Sequence, residues 1–295
     1  MGFILGQKLI LIDIDGTLAD ADGFVPPLAA SACREARKRG HIVYLSTGRT
    51  RRQIKESILA IGFNGAASAG GAHIETGDTA GNKPYQGDVI FNAYMPAELV
   101  KQIAIFLHSN NCGFSLEKIA GTQSNRRYLS HWEFVVKEMS LAGKTDDDLT
   151  LHIIELNKNL LSGEPAAISL YEGVSKMMYV GSSKISFADI KRNFGHACEI
   201  FHGSIPYFGE ENGEIGPLGI HKGLALEKIA GYHGIPLSET IAFGDSDNDR
   251  KMLDAAGIGV AMGNATDALK AIASEVTSPM EEDGLYNGFK KLGLI

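Results

Sequence analysis

The stretch Leu9-Ile10-Leu11-Ile12-Asp13-Ile14-Asp15-Gly16 constrains this chain more than any other. Four consecutive apolar residues closed by a turn signal predict a strand buried on both faces of a parallel sheet. In open α/β sheets ligands bind beyond the carboxyl ends of the strands, and Asp13 and Asp15 stand at that edge. The two-residue repeat of a strand starts both carboxylates on the same side, and Gly16 lets the backbone turn sharply behind them. Acidic residues before a turn can simply solvate a strand end. Two like charges about 4 Å apart, however, repel by about 4 kcal/mol at an effective dielectric of about 20, a cost that a cation or a proton relieves.

The same pattern recurs downstream. After the turn-rich Asp20-Ala21-Asp22-Gly23, Pro26-Pro27 suits a helix start, and residues 28–39 read as a helix ended by Gly40. Residues 42–45 form a second apolar strand, running into Ser46-Thr47-Gly48-Arg49. Thr50 suits the cap of a helix that carries Ile54, Ile58 and Ile61 on one face. The glycine-rich run 63–74 predicts a short strand and a close backbone turn, and the polar segment 76–87 a domain boundary. Beyond it, strand-like pieces (89–94, 167–171, 177–180) alternate with helical ones (97–107, 185–194) and longer loops, which reads as an inserted α+β domain. The first pattern returns at Gly219: helix 222–232, strand 240–243, the turn Gly244-Asp245-Ser246-Asp247-Asn248-Asp249, a helix through Met252 and Leu253, strand 258–261, helix 266–273 and strand 275–277. The expected fold class is therefore α/β, with a discontinuous parallel-sheet core (residues 1–84 and 218–295) interrupted by an α+β insertion (residues 85–217).

Composition narrows the function. A formal charge of −7 argues against a nucleic-acid surface, which needs a basic stripe. The basic clusters at 34–39 and 49–52 fall in helical patterns and read as solvated faces. No apolar run reaches the roughly 18 residues of a membrane span. Cys33, Cys112 and Cys198 are scattered, with neither disulfide nor metal spacing, and the chain opens straight into a strand without a signal sequence, so the expected location is cytoplasmic.

Asp13, Asp15, Asp245 and Asp249 supply hard oxygen ligands with no histidine or cysteine at ligand spacing, which favours magnesium over zinc. Thr47 adds a hydroxyl, Gly48 a backbone N–H and Lys222 a compact positive charge, the makings of a phosphate site. Taken singly, each has a plainer reading: Thr47 as a cap, Lys222 as a surface lysine, residues 245–249 as a solvated turn. Arg49 reads equally as an ion-pair partner or a substrate contact. Gathered at strand ends, they predict covalent phosphoryl transfer, with Asp13 attacking phosphorus and Asp15 first protonating the leaving alcohol, then activating water. In the insertion, expected to act as a lid, Arg126, Arg127, His131 and Trp132 form a candidate recognition cluster, or else a solvated loop around one packed tryptophan.

The motifs Asp13-Ile14-Asp15-Gly16-Thr17-Leu18, Ser46-Thr47-Gly48-Arg49, His221-Lys222-Gly223 and Gly244-Asp245-Ser246-Asp247-Asn248-Asp249, in that order, resemble the haloacid dehalogenase superfamily of phosphatases. The large insertion between the second and third motifs, with Ala261-Met262-Gly263-Asn264-Ala265 and Glu282-Asp283-Gly284, resembles its Cof-type branch, which carries a type IIB cap. The resemblance implies a Rossmann-like core with Asp13 as nucleophile and Asp15 as acid/base. It implies Mg2+ held by the Asp13 carboxylate, the Asp15 main-chain carbonyl and Asp245, with Asp249 on a metal-bound water. It further implies a phosphate held by Thr47, Gly48, Lys222 and Asn248, and a small phosphate ester, a sugar phosphate above all, as substrate. One departure is Gly70-Gly71-Ala72, where the family often has Asn-Gly-Ala. Two alternatives stay open: a phosphomutase or phosphotransferase using the same intermediate, and a non-hydrolytic phospho-aspartate signalling or binding protein.

Overall fold

In a computed structural model the described residues are 6–20, 23–81, 87–119, 121–141, 143, 147–161, 167–203, 208–209 and 211–295, the side chains of 147 and 148 excepted. Ala21, Asp22 and part of the polar linker (82–86), where sequence placed a turn and a domain boundary, lie outside them. The chain divides into two compact units, one of residues 1–92 and 220–295, the other of residues 93–219.

In the first unit, β1 (Leu9–Ile12) is buried along its whole length. Helix α1 (Pro27–Lys38) opens on proline, whose missing N–H costs nothing there, and turns the small residues Ala29, Ala32, Cys33 and Ala36 inward. After β2 (Ile42–Ser46) the single helix expected behind Thr50 is instead a 3₁₀ turn (Arg51–Gln53) and the short α2 (Glu56–Leu59). Ile54 between them is extended and buried, so reaching the core breaks the helix. Strands β3 (Gly65–Ser68), β4 (His73–Thr76) and β5 (Asp88–Asn92) follow. The strand that sequence assigned to the insertion near residues 89–94 is β5, and it pairs antiparallel with β4 in the core sheet.

The second unit runs α3 (Ala97–Ser109), β6 (Gly113–Lys118), β7 (Gly121–Ser124), α4 (Arg126–Leu141), α5 (Asp147–Lys158), β8 (Val174–Val180), α6 (Phe187–Phe194), β9 (Cys198–His202) and β10 (Asn212–Pro217). Its sheet has the order β7-β6-β8-β10-β9, with antiparallel pairing throughout. The expected strand at 167–171 is a 3₁₀ turn (Ile168–Tyr171) that buries Tyr171. Leu116, Met177 and Tyr179 share a core with Ile103 and Leu107 of α3, while Met178 and Val180 pack with Tyr128 of α4 and Leu156 of α5. Glu117 is fully buried, and it accepts hydrogen bonds from Ser115 Oγ at 2.6 Å and Thr122 Oγ1 at 2.7 Å.

The chain then completes the first unit with α7 (Lys222–His233), β11 (Thr240–Gly244), α8 (Arg250–Ala255), β12 (Ile258–Ala261), α9 (Asp267–Lys270), β13 (Glu275–Val276) and α10 (Gly284–Lys291). Its sheet has the order β13-β12-β11-β1-β2-β3-β4-β5 and is parallel from β13 to β3. Ile10, Ile12, Val43 and Leu45 share one core with Ala32 and Cys33 of α1 and Phe289 of α10. Leu9, Leu11 and Tyr44 share the other with Ala225, Leu226 and Ile229 of α7. Helices on both faces explain why β1 has no polar alternation. Among the described residues no helix is long and apolar enough to cross a membrane.

At the antiparallel side of this sheet His73 Nε2 lies 3.1 Å from Glu75 Oε1, Glu75 Oε2 accepts from Arg51 Nε at 3.1 Å, and His73 Nδ1 contacts the Asn92 side chain. Burial disfavours the imidazolium, but Glu75 and Asn92 outweigh it and raise the basicity of His73 overall. Protonation therefore stabilises the fold: the increment is complete below the ordinary value of 6.5 and fades as pH climbs through the raised one. Urea titrations between about pH 6 and pH 8 should show the unfolding midpoint of the wild type falling more steeply than that of His73→Gln. Parallel profiles would separate this cluster from stability.

Candidate active site

Three strand ends and one helix start build the site. The register pairs Ile12 with Leu45 on one side and Phe243 on the other, so Asp13, one residue further, emerges between the ends of β2 and β11. The His221 side chain accepts from Leu224 N at 3.0 Å, capping α7, and this places Lys222 in the first turn of that helix. Lys222 is not the surface residue that a helix-start lysine usually is; it is 1% exposed. Its ammonium donates to Asp13 Oδ1 at 2.6 Å, Asp249 Oδ1 at 2.6 Å and Asn248 Oδ1 at 3.1 Å. All three protons have acceptors. Burial alone would depress its basicity, but Asp13 and Asp249 outweigh that and hold it well above the ordinary lysine range.

The carboxylates are more crowded than one ammonium can neutralise. Oxygens of Asp13, Asp245 and Asp249 lie within 4.8 Å of one another. Burial, reinforced by Asp249, pushes the Asp13 carboxyl well above its usual range, and the same two causes push Asp245 up to about 6. Thr17 Oγ1 donates to Asp245 at 3.0 Å, and the backbone N–H groups of Asp245 and Ser246 hold Asp249 Oδ2 at 3.1 and 3.2 Å. Two glycines make the crowding possible. A Cβ on Gly16, whose φ is +84°, would sit 2.3 Å from Asp245 Oδ2, and one on Gly244 would sit 2.5 Å from the Asp249 side chain. A set of hard oxygen donors that is short of positive charge, with no nitrogen or sulfur among them, fits a small divalent cation such as Mg2+.

Asp15 departs from the alternation read in the sequence. β1 ends at Ile12, and Asp15 lies in a turn that bridges to Ala19. Its carboxylate faces Arg49 in a forked pair, Nη2 to Oδ1 at 2.5 Å and Nε to Oδ2 at 3.0 Å, and is not one of the three clustered carboxylates. Arg49 is thereby an ion-pair partner of the second aspartate. Thr47 is fully buried, its N–H bonded to Ala67 O at 2.9 Å and its hydroxyl accepting from Arg49 N at 3.1 Å, with Gly48 in the turn between them. Ala69, Gly70 and Gly71 all have positive φ and fold back on this turn, with Ala69 N bonded to Arg49 O and Gly70 N to Thr47 O.

The insertion candidates sit together on α4 of the second unit. Arg126 is exposed and paired with Glu133 at 3.0 Å, and Arg127 is exposed. Trp132 and His131 pack against Phe208, with ring centroids 4.8 and 6.2 Å apart, and Trp132 also meets His152 edge-on. These contacts are those of a small core.

Two residues of the site were not singled out from sequence. Asn264 donates to Gly16 O at 2.8 Å and accepts from Met280 N at 2.9 Å, tying the turn after β1 to a loop far along the chain. The Gly263-Asn264-Ala265 motif was visible in sequence, but its partner was not. Ser46, the last residue of β2, is fully buried and its hydroxyl has no hydrogen-bond partner among the described residues. Such an orphan costs about 1–3 kcal/mol.

Because Lys222 neutralises two buried carboxylates, Lys222→Met should lower stability by about 3–5 kcal/mol. Adding Asp249→Asn should recover part of the loss. Denaturant unfolding in EDTA reads both, and a double variant no more stable than the single would contradict the pairing.

A family model described as haloacid dehalogenase-like hydrolase matches residues 10–289. A 5-amino-6-(5-phospho-D-ribitylamino)uracil phosphatase of Bacillus subtilis, YitU, is 30% identical over 292 residues, spanning 96% of this chain and 96% of its own. YwtE of the same organism, named for the same activity, is 27% identical over 285 residues, spanning 95% and 96%. A solved haloacid dehalogenase-like hydrolase from B. subtilis superposes with a TM-score of 0.76 at 27% identity, covering 97% of this chain and 100% of that one. With the sheet, the strand-end aspartates and the buried lysine in place, the chain belongs to the haloacid dehalogenase-like hydrolases, among their Cof-type phosphatases.

Proposed function

We propose that this protein is a Mg2+-dependent phosphatase of small phosphorylated metabolites, working through an aspartyl phosphate on Asp13. The observation that carries the reading is the Lys222 ammonium bridging Asp13 and Asp249, each at 2.6 Å, with Asp245 beside them at the ends of β1 and β11. Two relatives whose names place phosphate on a ribityl chain support a phosphorylated sugar or polyol as substrate class.

The ion would be held by the carboxylates of Asp13 and Asp245 and the main-chain carbonyl of Asp15, with Asp249 close by. When bound it supplies the positive charge that three adjacent carboxylates need to accept a phosphoryl group. Thr47, Gly48, Lys222 and Asn248 hold the phosphate. An Asp13 oxygen forms a bond to phosphorus as the ester P–O bond breaks, its electron pair leaving with the alcohol oxygen. Asp15, protonated, gives that oxygen its proton. The resulting Asp15 carboxylate then takes a proton from water, whose oxygen attacks phosphorus, and the bond from phosphorus to Asp13 breaks to restore the carboxylate and release phosphate. For Asp15 to act, it must leave the fork of Arg49, so binding and proton transfer are coupled through that pair.

Asp13→Asn should reduce turnover of an aryl phosphate roughly a thousandfold or more with the fold retained by circular dichroism; substantial residual activity would remove Asp13 as nucleophile. Asp15→Asn should cost about 10²–10⁴-fold on alkyl phosphates and less on aryl phosphates, whose phenolate leaves without a proton. EDTA should silence the enzyme, and Mg2+ should restore it better than Zn2+. Activity indifferent to chelation would count against the ion. Phosphate release from a panel of sugar and polyol phosphates, the ribitylaminouracil phosphate included, ranks the substrates.

A further inference from the structure

Ser46 has a buried hydroxyl without a partner among the described residues, and its place in the sheet shows what that hydroxyl is beside. Ile12 pairs with Leu45, so the next step along the parallel register sets Asp13 alongside Ser46, on strands about 4.8 Å apart. The faces agree. Leu9, Leu11 and Tyr44 belong to the core on the α7 side, whereas Ile10, Ile12 and Leu45 belong to the other. Alternation therefore turns both Asp13 and Ser46 toward α7, the helix that brings Lys222 to Asp13. On the opposite flank Asp13 neighbours Gly244, whose missing side chain admits Asp249. An alanine at 46 would fill nearly the same space and leave no unmet polar atom, so the hydroxyl is a burden to the resting fold.

Lys222 spends its three protons on Asp13, Asn248 and Asp249. Holding a phosphate oxygen requires it to give one up. We propose that Ser46 is a positioning residue for the nucleophile: its hydroxyl takes over donation to the Asp13 carboxylate as Lys222 turns to the phosphoryl group. The inference rests on the reading of Asp13 as nucleophile. Ser46 keeps its proton throughout. It forms a hydrogen bond that fixes the carboxylate rotamer while the other Asp13 oxygen bonds to phosphorus and the ester oxygen departs with its electron pair.

The test compares wild type, Ser46→Ala, Ser46→Thr and Asp13→Asn with p-nitrophenyl phosphate and Mg2+, alongside thermal midpoints. Ser46→Ala should keep or raise the midpoint while kcat falls about tenfold, equivalent to about 1.4 kcal/mol at the transition state. KM should stay within about twofold, and Ser46→Thr, which keeps the hydroxyl, should bring kcat back to within about twofold of wild type. An unchanged kcat in Ser46→Ala, with Asp13→Asn inert, overturns the role of Ser46 and leaves the nucleophile intact. A kcat loss matched by a fallen midpoint overturns it as well, as does an alanine-like Ser46→Thr of unchanged midpoint. Substantial turnover by Asp13→Asn overturns the nucleophile reading itself.

Discussion

The first unit is arranged around a single buried ammonium. Lys222 lies between Asp13 and Asp249 with almost no access to water, and each carboxylate is tolerable in the interior only because the lysine is there. The cation in turn is tolerable only because both acids and Asn248 surround it. One lysine cannot balance three acids, and burial, reinforced by the neighbouring Asp249, displaces Asp13 and Asp245 upward. Such an acidic cluster, short of positive charge and offering only oxygen, fits the cation and phosphate chemistry proposed for it. Stability and chemistry thus draw on the same imbalance.

Holding such a cluster together falls to the backbone. The apolar interior of β1 brings Asp13 to the sheet edge, and the parallel pairing with β11 delivers the Gly244–Asp249 turn next to it. Side-chain-free positions at 16 and 244 let carboxylates approach closer than any Cβ would allow. Asp249, whose oxygens accept from Lys222 and two N–H groups, serves as an internal counter-ion as much as a candidate for a metal-bound water. The Asn264 clamp on Gly16 extends the same logic, tying the turn after β1 to a loop that sequence places far away.

The acidic pair after β1 does not act as a pair of equals. Asp13 is enclosed with the lysine, whereas Asp15 sits in the following turn, partly open to solvent and gripped by Arg49. Two chemically identical side chains two residues apart thereby receive different environments, the condition for giving them different tasks. In the second unit the aromatic and basic residues of α4 divide in a similar way, with Trp132 in a small core and Arg126 in solvent.

Short-range patterns were legible in the sequence because their causes are local. Apolar runs closed by glycine or aspartate marked β1, β2, β11 and β12, and a proline start with a basic last turn marked α1. The same local logic failed where burial overrode it. Ile54 pulled an expected helix apart, residues 168–171 curled to bury Tyr171, and β5 joined the core sheet because β4 offered it an edge. Most strands of the second unit went unread, since a sheet covered on both sides, with buried charges such as Glu117, lacks clean alternation. By itself the sequence determined which chemical groups the chain owns and which strand ends carry them. Only the tertiary structure decided that Lys222 is interior and not solvated, that Asp15 faces Arg49, and that Ser46 lies beside Asp13. Those outcomes depend on register between strands distant in the chain, which no local pattern encodes.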